Sequence, residues 1–465
     1  MGSKEFVSCA NQGSGIYNFI LQKKLAKNHS EILPSIVKSI FKMDYKSFKV
    51  FFLINLIVII LPSGLYAQDT TQYIISGRQN APFQEQKPYV ILISADGFRY
   101  DLAEKYDATF LKRISSEGVK AISMKPCYPS LTFPNHYSIV TGLYPSHHGI
   151  VDNTLYDKSR KQIYQIGNKK TVEDPSWYGG VPLWVLAERQ KLLSASFYWV
   201  GSESHIDGVD PTYYFKYNEA IPIDRRIEIV KEWLQLPPEK RPHFITFYFP
   251  EVDHAEHMYG TNSPHTAEAV HFVDHSVEKM YDMCQQLNLP VNFIFVSDHG
   301  MTNMDTLHTI GLPSVIDTTK FVITNGTATA HLYAKNKNDV KPTYRKLKAV
   351  AKDYDVYLVK KIPRRWHYRT KDDRFHRIGD ILLVPHLPKG FSFSGRKISY
   401  GAHGFDNSLP ELQATFYAWG PAFKDHFEIG NFANINIYPL IAHILGLTID
   451  NKIDGKLKVL RNTLE

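Results

Sequence analysis

The chain has 465 residues, of which 43% are hydrophobic and 22% are charged. This composition excludes collagen-like, low-complexity and wholly disordered proteins, and the length suffices for one large or two medium domains. The formal net charge of +8 by itself suggests an acidic partner such as nucleic acid or a membrane. However, residues 1–67 hold eight Lys and three acidic residues, so the other residues carry a net charge of only +3. The basic signal therefore belongs mostly to the N-terminal segment.

That N-terminal segment has the features of a secretory signal. A run of twelve residues, VFFLINLIVIIL, spans 50–61, with two lysines shortly before it. We therefore predict a signal peptide over 43–67 with cleavage after Ala67. A bilayer span needs about 20 residues, and this run is shorter. The alternative to a cleaved signal peptide is an uncleaved N-terminal anchor. Residues 1–42 form an extension to which the sequence assigns no function.

Cysteine usage bears on the compartment. Cys127 and Cys284 are the two cysteines beyond the predicted signal, which is too few for a disulfide framework. We therefore expect an exported protein whose fold depends on its hydrophobic core. Export with few cysteines favours a bacterial periplasm over a disulfide-dense animal ectodomain, with secretion or N-terminal anchoring as the alternatives.

Apolar runs alternate with helix-like segments from residue 89 onward. The run YVILISA at 89–95 is typical of a buried parallel strand, and helical spacing follows over 101–117. The sequence therefore predicts an α/β domain with a mostly parallel central sheet flanked by helices, in which ligands bind beyond the carboxyl ends of the strands. Further strand-like runs lie at 243–249, 292–296, 380–385 and 414–420.

Two segments depart from this pattern within the predicted catalytic domain, 68–465. Residues 328–375 suggest a strand–helix–strand unit, which we interpret as a small inserted α+β subdomain. Residues 155–240 hold many aromatic residues and loops, and we interpret them as an excursion on the substrate side. The basic run KKIPRRWHYR at 360–369 could contact an anionic polymer, but a solvated surface is favoured, and no specific nucleic-acid partner is expected.

Acidic and histidine side chains follow the predicted strands. Asp253 and His257, at i and i+4, would share one side of a helical turn. Asp298 and His299 are adjacent, so both reach one site only if the strand has ended, which Gly300 permits. Three carboxylates and three imidazoles suit two borderline divalent ions such as Zn²⁺, which would attract a phosphate anion. The candidate ligands are Asp96, Asp253, His257, Asp298, His299 and His403.

The candidate nucleophile is Thr132, in PSLTFPNHYSIVTG. Divalent ions beside its hydroxyl would make it reactive near neutral pH. Each residue also has an alternative interpretation, because an Asp or Thr132 can cap a helix and a single His often lies in a core. The joint occurrence of these residues at strand ends favours the chemical interpretation. Asn135 and His136 are assigned structural roles.

The sequence resembles the nucleotide pyrophosphatase/phosphodiesterase (ectonucleotide pyrophosphatase) family of the alkaline phosphatase superfamily over residues 88–450. The resemblance implies an alkaline phosphatase-like fold and, since cysteine-rich accessory domains are absent, a catalytic domain alone. Val252 and His254 depart from the family pattern, but they do not change the expected metal ligands. The motifs that carry the resemblance are ISADGFRYD, MKPCYPSLTFPNHYSIVTGLYPSHHGIVDN, YNEAIPIDRRIEIVKEWLQLP, EVDHAEHMYG, VSDHGM and GAHGFDN.

The resemblance also implies roles for individual residues. One zinc would be held by Asp253, His257 and His403, and a second by the set Asp96, Thr132, Asp298 and His299. Thr132 would be the nucleophile of a phosphothreonine mechanism that releases nucleoside 5′-monophosphate, with activity rising toward alkaline pH. Asn153 would donate a hydrogen bond to a non-bridging phosphate oxygen, and Phe133 and Tyr217 would sandwich a nucleobase, unless these two rings simply pack in the core.

Other functions remain open at this point. Cys127 and Ser130 fit the start of a sulfatase C-x-P-S-R signature, but Leu131 replaces its Arg. An alkaline phosphatase would need a third metal site, for which we find no ligands. Expected substrates are ATP, diadenosine polyphosphates or nucleotide sugars. Alternatives are choline phosphodiesters, whose quaternary ammonium an aromatic pair can also bind, or a secreted metal-binding module without catalysis.

Overall fold

The structure, a computed structural model, describes residues 69–465. The predicted signal and the extension before it lie outside the described residues. The compact unit treated below comprises residues 71–217 and 223–465, whereas 69–70 and 218–222 belong to a second unit. Among the described helices, none combines the length and apolar character needed to cross a bilayer.

Short strands and helices alternate along the chain. The strands are β1 (Gln72–Ile74), β2 (Tyr89–Ala95), β3 (Val119–Ala121), β4 (Met124–Lys125), β5 (Thr154–Asp157), β6 (Gln162–Gln165), β7 (Ser194–Phe197), β8 (Tyr213–Phe215), β9 (Phe244–Phe249), β10 (Val291–Val296), β11 (Thr302–Asn303), β12 (Phe321–Asn325), β13 (Ala330–Ala334), β14 (Tyr354–Leu358), β15 (Ile381–Pro385), β16 (Gly401–Ala402), β17 (Phe416–Trp419), β18 (Phe427–Ile429) and β19 (Phe432–Ala433). The α-helices are α1 (Leu102–Lys105), α2 (Thr109–Glu117), α3 (Thr132–Thr141), α4 (Pro145–His148), α5 (Lys169–Val172), α6 (Leu183–Arg189), α7 (Ile223–Leu234), α8 (Glu251–Tyr259), α9 (Pro264–Gln285), α10 (Val340–Val350) and α11 (Ile437–Ile444).

The central sheet has nine strands in the order β1-β8-β7-β9-β2-β10-β17-β3-β18. Its middle strands, from β8 to β10, are parallel to one another. The strand β1 joins one edge antiparallel, and β17 and β3 continue the other edge antiparallel. The predicted mostly parallel sheet flanked by helices is therefore confirmed as an alkaline phosphatase-like mixed sheet with a parallel centre.

Burial explains the apolar runs of the central strands. Every residue of β2 and β10 is buried, which accounts for their continuous rather than alternating hydrophobicity. The predicted helix over 101–117 is instead two helices, α1 and α2. Asp107 lies between them with a φ of 55°, a left-handed conformation that an α-helix cannot include.

The insertion is larger than predicted and contains a separate antiparallel sheet. This four-stranded sheet has the order β12-β13-β15-β14, so strands on both sides of 328–375 belong to it. The run at 380–385 was predicted for the central sheet, and that prediction is wrong because this run forms β15. Ile381 and Leu383 face the core of the insertion, whereas Leu382 and Val384 belong to the main core. Burial on both faces explains why this strand has the pattern of a parallel one.

The aromatic segment 155–240 also differs from the prediction of a substrate-side excursion. It contributes β7 and β8 to the parallel centre of the main sheet, and only part of it forms loops. Cys127 and Cys284 are both free and buried, and burial raises the pKa of each thiol to about 12.

Candidate metal centre

The candidate site lies at the carboxyl ends of three adjacent parallel strands, β9, β2 and β10. Asp96 follows β2 directly, α8 begins shortly after β9, and Asp298 and His299 follow β10. The backbone N–H of Asp253 donates to the carbonyl of Asp96 (3.1 Å), which joins the start of α8 to the end of β2. Gly97 permits this approach, because its φ is +71° and a Cβ there would lie 3.1 Å from the Asp253 backbone.

One group of side chains, which we term the outer cluster, comprises Asp253, His257 and His403. The Nε2 atom of His257 lies 3.4 Å from Asp253 Oδ2 and 3.2 Å from His403 Nε2. His403 Nε2 in turn lies 3.6 Å from Asp253 Oδ1. The prediction that Asp253 and His257 share one side of a helical turn is confirmed, because both lie on α8.

A second group, the inner cluster, comprises Asp96, Asp298, His299 and Thr132. His299 Nε2 lies 2.9 Å from Asp298 Oδ2, 3.6 Å from Asp96 Oδ1 and 3.3 Å from Thr132 Oγ1. Asp298 and His299 reach the same site because β10 has already ended at Val296. The rings of His299 and His403 stack with centroids 3.6 Å apart, so the two clusters adjoin.

All three imidazoles present the same nitrogen to the site. The Nδ1 atoms of His257, His299 and His403 lie 2.8–3.0 Å from the backbone carbonyl oxygens of Gly401, Gly300 and Ser130 respectively. A carbonyl oxygen only accepts, so Nδ1 carries the proton when the imidazole is neutral and Nε2 has a free lone pair. This arrangement is typical of histidines that bind a metal through Nε2.

Buried carboxylate oxygens in both clusters have no hydrogen-bond donor. They are Asp96 Oδ1, Asp253 Oδ1 and Asp298 Oδ2. Leaving such atoms unpaired costs folding free energy. When the imidazoles are neutral, their Nε2 lone pairs face the carboxylate oxygens, and this adds repulsion. Cations bound between these oxygen and nitrogen atoms would remove both the unpaired oxygens and the repulsion. The residues therefore fit divalent metals that accept nitrogen and oxygen ligands.

The same geometry shifts the acidities of these groups. Burial raises the pKa of Asp96 well above its ordinary value, and the carboxylates of Asp298 and Asp253 raise it further. Burial opposes ionisation of Asp298 as well, but the imidazoles of His299 and His136 hold its pKa well below the ordinary range. Burial and the neighbouring His299 lower the pKa of His403 to about 3. His403 is therefore a neutral potential ligand at physiological pH.

Thr132 is placed for chemistry rather than for capping. It is the first residue of α3, whose N-cap residue is Leu131, and no side chain makes a capping hydrogen bond. The alternative interpretation of Thr132 as an N-cap is therefore wrong. The hydroxyl lies at the N-terminus of α3, where the helix dipole favours an anion.

Asn153 and Phe133 adjoin Thr132. The backbone N–H of Phe133 donates to Asn153 Oδ1 (3.1 Å), which leaves the amide NH₂ of Asn153 to donate elsewhere. The Phe133 ring is partly buried and meets Tyr164 edge-on, with centroids 6.3 Å apart. The structure therefore brings the predicted phosphate-binding amide and one predicted base-stacking ring next to Thr132.

Tyr217 connects to the same site through aromatic contacts. Its side chain is 41% exposed, and its ring meets Tyr248 edge-on at 6.0 Å. The Tyr248 hydroxyl donates to Asp96 Oδ2 (2.6 Å). The exposed Tyr217 ring thus contacts Tyr248, which in turn contacts Asp96 of the inner cluster. Tyr217 is not a core residue.

Two residues that support the inner cluster were not assigned to the site from the sequence: Tyr248 was not singled out, and His136 was assigned a structural role. Tyr248 orients Asp96, and its one available signal is a hydroxyl near the carboxyl end of an apolar strand. His136 is fully buried between Ser94 Oγ (2.8 Å) and the Thr132 carbonyl (3.0 Å), and its Nδ1 lies 3.3 Å from Asp298 Oδ2. The contacts of His136 with Ser94 and Asp298 join residues far apart in the chain, and no spacing rule indicates them.

Asn135, by contrast, fits the structural role assigned to it. Its Oδ1 accepts from the backbone N–H of Cys127 (2.7 Å), and its Nδ2 donates to the carbonyls of Pro129 and Leu131 (both 2.9 Å). It therefore shapes the loop that leads into Thr132.

Known structures resemble this arrangement closely. Murine ectonucleotide pyrophosphatase/phosphodiesterase 5 matches with a TM-score of 0.75 and 28% identity, covering 82% of this chain and all of that one. An inactive variant of the same murine protein in complex with AMP matches with a TM-score of 0.76. The fold thus agrees with that of an ectonucleotide pyrophosphatase/phosphodiesterase.

Sequence comparison gives the family. Residues 90–406 match the family described as type I phosphodiesterase / nucleotide pyrophosphatase, to which this chain belongs. The chain is 36% identical to rat ectonucleotide pyrophosphatase/phosphodiesterase family member 1 over 79% of its length, and 33% identical to venom phosphodiesterase 2 of Crotalus adamanteus over 80%. It spans less than half the length of these curated relatives, 42% and 47% respectively. The relatives are named as hydrolases of phosphodiester and pyrophosphate bonds.

Proposed function

We propose that this chain is a zinc-dependent hydrolase that cleaves nucleotide phosphodiester and pyrophosphate bonds and releases nucleoside 5′-monophosphate. The observation that carries the proposal is the position of Thr132. Its hydroxyl lies at the N-terminus of α3, 3.3 Å from His299 Nε2, beside two clusters of unpaired carboxylate and imidazole donors. A hydroxyl so placed is suited to attack an anionic phosphorus centre.

The outer cluster would hold one zinc ion and the inner cluster the other. When bound, these ions would lower the pKa of the nearby hydroxyl and stabilise negative charge on phosphate oxygens. Two compact groups of ligand atoms support two ions: Asp253, His299 and His403, which His257 adjoins through His403, and Asp96, Asp298 and His299. Each group lies within 4.8 Å, which is compact enough for a single ion.

Thr132 performs the covalent chemistry in this proposal. Its oxygen forms a bond to the substrate phosphorus while the bond to the leaving oxygen breaks, giving a phosphothreonine that still carries the nucleoside. The Thr132 hydroxyl proton leaves with the leaving group in this first step. Water then attacks the phosphorus, the bond to Thr132 breaks, and a proton of that water restores the Thr132 hydroxyl. Asn153 donates its amide NH₂ to a non-bridging oxygen during both steps. A neutral donor suits the single charge of a diester.

The aromatic residues favour a nucleotide as the substrate. Phe133 follows the nucleophile directly, and Tyr217 is an exposed ring that contacts the Tyr248 support of the inner cluster. Stacking of a base on an aromatic ring contributes about 1–3 kcal/mol. ATP, diadenosine polyphosphates and nucleotide sugars are candidate substrates. The complex of a murine relative with AMP supports this class.

A single assay tests the proposed reaction against its rivals. We would measure turnover of ATP, diadenosine polyphosphate, p-nitrophenyl-TMP and glycerophosphocholine, before and after treatment with EDTA and after zinc is restored. We expect zinc-dependent hydrolysis of the three nucleotides. Preference for glycerophosphocholine would instead indicate a choline phosphodiesterase, and metal binding without turnover of any substrate would indicate a non-catalytic module.

We further propose export as the setting of this activity, as the predicted signal over 43–67 suggests. A bacterial periplasm is the favoured compartment because two buried free cysteines carry no disulfide framework. Secretion or N-terminal anchoring are the alternatives. Fractionation of the native host, with an antibody against the folded domain, distinguishes the three.

A further inference from the structure

The inserted subdomain contacts the loop that carries Asn153 through a buried polar network. The network comprises Asp152, on that loop, and Thr329 and His331, at the start of the insertion's strand β13. The Thr329 hydroxyl donates to Asp152 Oδ2 (2.8 Å), and His331 Nε2 lies 3.4 Å from the same oxygen. The other oxygen, Asp152 Oδ1, accepts the backbone N–H of Thr154 (3.0 Å). Asp152 therefore joins the insertion to the residues on both sides of Asn153.

Proton placement in this network follows from the backbone. The backbone N–H of Gly379 donates to His331 Nδ1 (3.3 Å), so Nδ1 accepts and Nε2 carries the proton. Nε2 then faces Asp152 Oδ2 at 3.4 Å, a charge contact rather than a hydrogen bond, and it has no hydrogen-bond partner among the described residues. Asp152, Thr329 and His331 are each no more than 3% exposed. Water cannot replace the lost contacts if one member of the network is removed.

Two more contacts fix the same loop from outside. The Tyr368 hydroxyl donates to the carbonyl of Val151 (2.6 Å), and Arg377 Nη1 donates to the carbonyl of Gly149 (3.1 Å). The Asn153 side chain is held through one hydrogen bond, from the backbone N–H of Phe133 to its Oδ1, and the Asn153 carbonyl accepts the backbone N–H of Ile166 (3.2 Å). The direction of its amide NH₂ therefore depends on how the preceding residues of the loop are held.

We propose that Asp152, with Thr329 and His331, is a positioning residue that acts through Asn153. The inserted subdomain thereby sets the direction of the amide that contacts the phosphate. This proposal deepens the proposed function and rests on it. A displacement of about 1 Å at a reacting group can cost about a hundredfold in rate. We therefore expect D152N, which is the same size but replaces one of the two accepting oxygens with a donating NH₂, to lower kcat/KM about tenfold.

A double-mutant cycle tests whether Asp152 acts through Asn153. The cycle compares D152N, N153A and the double variant by kcat/KM for p-nitrophenyl-TMP. If Asp152 acts through the Asn153 amide, D152N lowers kcat/KM about tenfold in the native background but less than twofold when Asn153 is already Ala. Equal losses in both backgrounds would mean that Asp152 affects the enzyme by another route, and would overturn the proposal.

Matched variants separate positioning from folding. T329V removes the hydroxyl at nearly constant volume, whereas T329S keeps it, so we expect a severalfold loss for the first and less than twofold loss for the second. L347A creates a cavity in the insertion's own core, away from the loop, and should lower Tm while leaving kcat/KM within twofold. Equal losses in T329V and T329S, or a loss in L347A as large as that in D152N, would contradict a positioning role.

The proposed function and the positioning role fail in different ways. If the native protein lacks Thr132-dependent turnover, the proposed function is wrong. The same cycle is then measured on the Kd for AMP, whose phosphate also needs the Asn153 amide. Non-additive losses of AMP affinity would support positioning, and additive losses would overturn it.

Discussion

The inner and outer clusters are built from similar side chains but differ in what surrounds them. The inner cluster is closed: Asp298 and His299 are fully buried, and His136, Tyr248 and the Gly97 N–H contact its carboxylates. The outer cluster is more open, because the side chain of His257 is 32% exposed. Thr132 belongs to the closed cluster alone.

This difference assigns separate tasks to the two groups. A closed site with fixed dipoles stabilises developing charge without reorganisation, and it suits the nucleophile. An open site leaves room for exchange with solvent, for a leaving group and for the entry of water. We therefore expect the inner cluster to be more sensitive to small changes, and the predictions below test this asymmetry.

The largest effect is expected at the nucleophile. T132A removes the attacking oxygen, so turnover of p-nitrophenyl-TMP should fall by about a thousandfold or more. The zinc content, measured by mass spectrometry of the purified protein, should stay at two per chain. T132S, which keeps a hydroxyl, is the control and should retain part of the activity. Normal turnover by T132A would exclude Thr132 as the nucleophile.

The two clusters should respond differently to loss of a ligand. D298N replaces a charged ligand of the buried inner site with a neutral amide, and water cannot take the place of the lost carboxylate. We expect activity to fall about a hundredfold and one zinc ion to be lost. H257A opens the partly exposed outer site, where water can fill the vacated position, and we expect a loss of about tenfold. The reverse order of losses would contradict the assignment of the inner cluster as the closed one.

The pH dependence follows from the imidazoles. Burial alone would lower the pKa of His299, but the Asp298 carboxylate holds it above its ordinary value. A protonated His299 cannot bind metal, so metal affinity and kcat/KM should fall as the pH drops through that raised pKa and rise toward alkaline pH. His403, with a pKa lowered to about 3, stays neutral throughout this range. A pH–rate profile with an acidic optimum would contradict this assignment.

The effect expected at the support of Asp96 is no larger than that at His257. The Tyr248 hydroxyl donates to Asp96 Oδ2 and opposes the rise in the pKa of Asp96 that burial causes. Y248F should therefore weaken zinc binding and lower kcat/KM about tenfold, with little change in Tm. Y281F changes a tyrosine of α9, outside both clusters, and serves as the control. Equal activities of Y248F and the native protein would show that Asp96 needs no such support.

Much of the site could be predicted from the sequence because parallel strands end at one edge of a sheet. Asp96, Asp253, Asp298 and His299 each follow a buried apolar run, and strand polarity alone brings them together. The i, i+4 spacing correctly placed His257 beside Asp253. His403 was identified from its motif, GAHGFDN, because the short strand β16 precedes it instead of a long apolar run.

Other features could not be predicted because their determinants are distant in the chain. The apolar pattern of β15 is the same whether it lies in the central sheet or between two cores. Tyr248, His136 and Asp152 act through hydrogen bonds to residues that no sequence spacing connects to them. The break between α1 and α2 depends on the left-handed conformation of Asp107, which the helical periodicity conceals.

The most direct test of the account is to capture the covalent intermediate. The zinc-loaded protein would be mixed with ATP labelled at the α-phosphate, quenched in acid within milliseconds, digested and analysed by mass spectrometry. We predict an adenylyl group on the peptide that contains Thr132, formed and lost at rates compatible with turnover, and absent after treatment with EDTA. Label on another residue, or zinc-dependent turnover without any label on Thr132 at the shortest times, would contradict the account.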